Sequence, residues 1–155
     1  MEIKLSRVNS SVHLRAHNDD GNTVEIDGAP AIGGERAGFR PMQLVLAAIA
    51  GCASMDLIPI LAKQRQRLDD LAITVRGERA DALPAPFVAI DLHFDLYGEI
   101  DEKQAARAVD LAVHKYCSVG EMLKATAKVT ATYAIHATGG SRGAHDSRGG
   151  GGSHE

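Results

Sequence analysis

The chain opens on short alternating runs. Ile3 and Leu5 share one face of the first, Val12, Leu14 and Ala16 share one face of the second, and Val24 and Ile26 lie on a third. Alternation with a period of two places successive side chains on opposite sides of a strand. Turn-forming clusters separate the runs: Asn9, Ser10 and Ser11, then Asn18, Asp19, Asp20, Gly21 and Asn22. The pattern predicts a three-stranded antiparallel meander, ended by Asp27, Gly28, Ala29 and Pro30 and followed by a glycine-rich loop at residues 33–38. Then the period changes. Pro41 suits the first turn of a helix, where its missing N–H has no partner to lose. From Met42 to about Leu61 the chain is apolar nearly all round, which predicts a helix buried at the centre of the molecule. Pro59 falls inside it and predicts a kink near Met55.

Two further strands follow, one on Leu71, Ile73 and Val75, the other on Val88, Ile90, Leu92, Phe94 and Leu96 with one wet face. Asp101 and Gln104 form a capping box for a second helix, which carries Ala105, Ala108, Val109, Ala112, Val113 and Tyr116 at helical spacing. Residues 117–120 interrupt it. A short helix at 121–125 then leads to a last strand with Val129, Ala131, Tyr133 and Ile135 on one face. The order β-β-β-α-β-β-α-β predicts an α+β fold of antiparallel sheets around buried helices. Residues 1–136 form the predicted domain. Residues 137–155 contain seven of the sixteen glycines and no Leu, Ile, Val or aromatic residue, which predicts a flexible tail. One protomer's sheet hardly covers a helix that is apolar all round, so an intertwined homodimer is expected.

Composition narrows the function. A net charge of -3 over 155 residues argues against a nucleic-acid or anionic-membrane partner. No apolar run is expected to approach the ~20 residues of a membrane span. The N-terminus lacks the basic-then-apolar layout of a signal peptide, so a cytoplasmic location is expected. Trp is absent and aromatics make up 4%, leaving aliphatic residues to build the core. The chemistry that stands out is Cys52 and Cys117. Two cysteines in a reducing compartment are core thiols, a metal pair or a redox pair. No C-x-x-C is present and the seven histidines fall at no ligand spacing, so neither a metal nor a cofactor is expected. The glycine-rich loop follows no parallel strand and is a weak phosphate cradle. Cys52 lies mid-helix among Ala50, Gly51, Ala53 and Ser54, which leave space at the sulfur; a functional role there needs a nearby cation. Cys117 sits at a helix break, where it is either activated by unpaired N–H groups or packed as a small hydrophobe.

The segment from Arg40 through Pro41, Met42, Gln43 and Leu44 to Gly51 and Cys52, then Glu78-Arg79-Ala80-Asp81, then residues 99–108, then Lys115-Tyr116-Cys117-Ser118-Val119, resemble the OsmC/Ohr family of osmotically inducible and organic-hydroperoxide-resistance proteins. The likeness covers about residues 20–136 and falls within the OsmC-like branch. It implies an interwoven α+β homodimer with two interface sites and a thiol-dependent peroxidase acting on organic hydroperoxides. Cys52 matches the thiolate that attacks the O–O bond. Cys117 matches the thiol that resolves the sulfenic acid as a disulfide, which a dithiol reductant (a lipoylated protein in the characterised branch) reduces. An Arg and a Glu activate the first cysteine in the hydroperoxide-resistance branch. Here Met42 takes the place of that Glu, Gln43 the place of the OsmC-like branch's Glu, and Arg15, Arg36 and Arg40 are the candidates for the Arg. A non-catalytic relative binding a small apolar ligand at the interface, and a structural dimer with inert thiols, are the alternatives.

Overall fold

Alternation in the first 26 residues produces β1 (Ile3–Arg7), β2 (Leu14–Asn18) and β3 (Thr23–Ile26), an antiparallel three-stranded sheet. In the computed structural model, which describes residues 1–137, Leu5 pairs with Ala16 and Ala16 with Val24, while Leu14 pairs with Ile26. Directly opposed residues share a face, so one face is apolar and the other carries Lys4, Arg15, His17 and Glu25. Val12, expected in β2, lies in the loop before it and fills the space beside Gly28. The predicted tail from residue 138 onward lies outside the described residues.

The long helix is α1 (Pro41–Lys63). Its first turn is closed by Gln43, whose Oε1 accepts from the Arg40 N–H at 2.9 Å. Pro59 costs one helical hydrogen bond but does not end the helix, which runs on to Lys63. Only one stripe of α1, Ile49, Ala53, Leu57 and Leu61, is fully buried. The expectation of burial all round is therefore corrected for a single chain: Met55 is 75% and Ile58 47% exposed on the outward face. The expectation about membrane spans is corrected too. α1 has a window of mean hydropathy 2.1 and is long and apolar enough to cross a bilayer by length and composition; its inward stripe instead packs into the core.

A second sheet holds β4 (Arg67–Arg79), β5 (Phe87–Glu99) and β6 (Lys128–His136). β4 and β5 are antiparallel, and Gly98 at the end of β5, with φ of 149°, lets the Arg67 carbonyl approach to where a Cβ would sit. β5 and β6 are parallel, which corrects the all-antiparallel expectation. The cause is the crossover between them, which is long enough to return the chain to its starting edge. It consists of α2 (Glu102–Asp110), a widened π-helical turn (Leu111–Tyr116) and α3 (Ser118–Leu123). Asp101 caps α2 through Oδ1 at 3.0 and 3.1 Å from the N–H groups of Lys103 and Gln104. The other half of the cap comes from Gln66, which accepts from the Asp101 N–H at 2.8 Å and ties the start of β4 to α2.

Ile90, Leu92, Phe94 and Leu96 point from β5 into the core beside the α1 stripe and Ala105, Ala108, Val109 and Ala112 of the crossover. Val88 does not join them. A register shift between Glu78 and Arg79 turns Phe87 inward and leaves Val88 40% exposed.

Candidate functional site

The site grows from the π-helical turn. The Cys117 N–H bonds the Ala112 carbonyl, five residues back, at 3.1 Å, and Cys117 then becomes the N-cap of α3. Its Sγ accepts from the Gly120 N–H at 3.2 Å and lies 3.9 Å from the Ile49 carbonyl of α1. A Cβ at position 120 would crowd the Val113 carbonyl at 3.2 Å while standing in ordinary contact, 3.5 Å, with the Cys117 sulfur, so the glycine lets α3 start close against the preceding turn. Cys117 is thus clamped between α1 and α3 and is 3% exposed. Cys52 is half-buried, three residues along α1 from Ile49, and close enough to act on Cys117.

The two thiols are free and unequal. Burial pushes the Cys117 thiol up to about 11, the neighbouring Cys52 adds to the rise, and the Gly120 N–H only partly opposes it. Of the two sequence readings of Cys117, burial therefore prevails over activation by backbone N–H groups. The structure brings both predicted site residues together.

Among the described residues none of the three candidate arginines has a recorded contact with Cys52. Arg15 pairs with Glu25 on the polar face of the first sheet, and its guanidinium holds that carboxyl below the usual range, assisted by His13. Arg36 sits in the glycine-rich loop with φ of 62°. Arg40 precedes α1, twelve residues before Cys52, or about 18 Å along the axis. Position 42 lies about 15 Å away by the same count.

Two cavities flank α1. One, of about 410 Å³, lies at its N-terminal end and is lined by Ile32, Met42, Leu46, Phe87, Arg40 and Arg79. Arg79 was not singled out for a role in the sequence, although the Glu78–Asp81 segment contains it. The other, of about 480 Å³, lies at the C-terminal end, where Asp56, Pro59 and Lys63 face Arg107 and Tyr116. Those residues carry no motif and become visible only when α1 and α2 meet.

Other candidates have structural work. The buried Asp27 carboxylate accepts from the N–H groups of Ala37, Gly28 and Glu35, which hold its pKa below the usual value. The glycine-rich loop is thereby folded onto its own backbone, with the Gly28 carbonyl against Gly34. On the outer face of the second sheet, His136 Nε2 lies 2.7 Å from Asp95 Oδ1 and stacks on Tyr97, while His93 Nδ1 is 2.8 Å from Thr132 Oγ1. Among the described residues no group of three or more side chains is arranged to hold a metal.

Comparison with known proteins agrees with this layout. The OsmC-like protein family model matches residues 33–132. Protein YhfA of Escherichia coli K12 is 40% identical over 96 residues, 61% of this chain and 72% of that protein. A solved protein of Aquifex aeolicus VF5 is 27% identical with a TM-score of 0.76, covering 88% of this chain and 96% of that one. The fold is also that of an organic hydroperoxide resistance protein OsmC from Legionella pneumophila, at 19% identity and a TM-score of 0.66 over 87% of this chain and 98% of that one. With the helix that carries Cys52 and the crossover that carries Cys117 both inside the matched residues, the chain belongs to the OsmC-like protein family.

Proposed function

We propose that this protein is a homodimeric, thiol-dependent peroxidase that reduces organic hydroperoxides through Cys52 and Cys117. The observation that carries the reading is the pairing of a half-exposed thiol with a buried, protonated one. The Cys52 thiolate attacks the O–O bond, which breaks to leave a sulfenic acid on Cys52 and release the alcohol. Cys117 then displaces water from that sulfenic acid, forming the disulfide and protecting Cys52 from further oxidation. A dithiol reductant returns both to thiols, with the cytoplasm as the reducing compartment. The apolar cavity at the head of α1 favours an alkyl or aryl hydroperoxide over hydrogen peroxide.

Dimerisation completes the site. Positions 40–43 are too far along α1 to reach Cys52 of their own chain, so any activating group at that end serves the partner. An antiparallel crossing of two α1 helices centred on Ala47 sets position 42 of one level with position 52 of the other. Ala47, Ala48 and Gly51 are exposed and small enough for such a crossing. Met42 and Gln43 supply no carboxylate, which favours slow turnover or, as the second reading, a non-catalytic protein that binds an apolar ligand.

Stopped-flow thiol loss with cumene hydroperoxide and with hydrogen peroxide tests this. Wild type should consume cumene hydroperoxide faster, Cys52→Ser should be inert, and Cys117→Ser should turn over once and stop. A Cys52→Ser variant as active as wild type ends the catalytic reading in favour of the second.

A further inference from the structure

We propose that the cavity at the C-terminal end of α1 binds a small zwitterion of dipeptide length, at a site separate from the thiols. The cavity lies between α1 and the π-helical turn: Leu111 and Tyr116, the first and last residues of that turn, line it together with Asp56, Pro59 and Lys63. Widened turns of this kind are frequent at functional sites. The wall carries the charges of Asp56, Lys63 and Arg107, and none of these three has an ion-pair partner among the described residues. Asp56 is half-buried, so its carboxylate is partly withdrawn from water with no cation to offset the loss. An apolar ligand would leave all three charges unpaired, a simple anion would leave Asp56, and a simple cation would meet two like charges. A zwitterion complements the set. Two acceptors border the same space. Gln64, in the wall, has a buried Oε1 with no hydrogen-bond partner, and Pro59, lacking an N–H, leaves the Met55 carbonyl without its helical donor. Both call for an N–H group.

The spacing of the charges sets the length of the ligand. Asp56 and Lys63 lie on one stripe of α1 seven residues apart, about 10 Å along the axis. An α-amino acid carries both its charges on one carbon and falls well short of that span. An extended dipeptide reaches about 7 Å between its termini, and a hydrogen bond at each end covers the remainder. The ammonium then sits on Asp56 and the carboxylate between Lys63 and Arg107, whose guanidinium can hold it through two parallel N–H groups. The peptide N–H is left for Gln64, while Ile60 and the Tyr116 ring receive an apolar side chain. A volume of about 480 Å³ is that of a small-molecule pocket. In the helix crossing centred on Ala47, the partner's α1 begins level with position 53, short of Asp56, and leaves the cavity clear.

Isothermal titration calorimetry on reduced full-length protein tests the site with L-alanyl-L-leucine as the probe. Three controls remove one feature each: N-acetyl-alanyl-leucine lacks the ammonium, alanyl-leucinamide lacks the carboxylate, and leucine lacks the span. Each should bind about tenfold more weakly than alanyl-leucine, the value of one charged hydrogen bond. Asp56→Asn should bring alanyl-leucine down to the affinity of its acetylated form and leave that form unchanged. Arg107→Gln should weaken alanyl-leucine and leave the amide unchanged. Equal affinity for the free and blocked dipeptides, leucine bound as tightly as alanyl-leucine, or no binding of alanyl-leucine overturns the inference. So does a variant that keeps full affinity for alanyl-leucine or weakens every probe alike. The titration reads no thiol chemistry, so the peroxidase reading stands or falls separately, on thiol loss with cumene hydroperoxide.

Discussion

The two sheets of this protein have three strands each and are opposite in circumstance. β4–β5–β6 is sealed: Ile90, Leu92, Phe94 and Leu96 are at most 1% exposed against α1 and the crossover helices. β1–β2–β3 has the same alternation and the same kind of apolar face, yet Ile3 and Leu5 are 54% and 55% exposed. Its strands touch chiefly one another. Two such faces in one chain, one filled and one empty, match the two faces of α1, of which one is buried and the other presents Met55 and Ile58. The difference teaches that this chain folds one complete layer pair and holds out the halves of another, which a second copy can close.

The largest test of that comparison removes a contact on the sealed side. Leu57→Ala should cost about 2–5 kcal/mol in denaturant unfolding, because Leu57 is fully buried in the α1 stripe and its removal leaves a cavity in the core. On the open side Leu5→Asp should leave the fold recognisable by circular dichroism but convert dimer to monomer in sedimentation. A variant that stays dimeric would place the interface elsewhere.

Titration sharpens the sealed side. Burial raises the Cys117 thiol from 9.0 to about 11. Its contribution to stability is therefore complete below pH 9 and is lost as pH rises toward 11, because the unfolded chain ionises first. Stability should fall by about 1 kcal/mol near pH 10, and Cys117→Ala should flatten that slope. The smallest effect discriminates best. A Cβ at Gly51 meets nothing within 4 Å in its own chain. Gly51→Ala should thus stabilise an isolated protomer by about 0.8 kcal/mol through helix propensity. If two α1 helices cross there, the same change should instead weaken dimerisation, read by dilution.

Much of this was legible from local pattern. The element order, the N-terminal meander and the core positions of β5 follow from periods of two and of nearly four, because those periods record which side of an element meets the core. What escaped depends on elements meeting at a distance. Phe87 replaces Val88 in the core because Val88 bulges out of β5 between the pairs Glu78–Ala89 and Arg79–Phe87, and such a bulge breaks the period of two within its own strand. The α2 cap borrows Gln66 from before β4. Both cysteines were legible as candidates, from small neighbours and from the helix break. Their inequality was not, since it arises from Ile49 and Gly120 closing around one sulfur. Arg79, Lys63 and Arg107 were invisible as site residues for the same reason: each lies on a different element from the residues it faces.

The π-helical turn before Cys117 has a consequence for how this site tolerates insertions and deletions. A helix that spends one extra residue on a turn carries everything beyond it rotated by about 100° relative to an ordinary helix. Deleting any one residue from Leu111–Tyr116 would restore regular geometry and lose little as a helix. It would also swing Cys117 away from Cys52 and the Gly120 N–H away from its sulfur. The pairing of the two thiols thus hangs on the length of six residues rather than on their identity, and a lineage that shortened this turn would keep the fold and lose the pair.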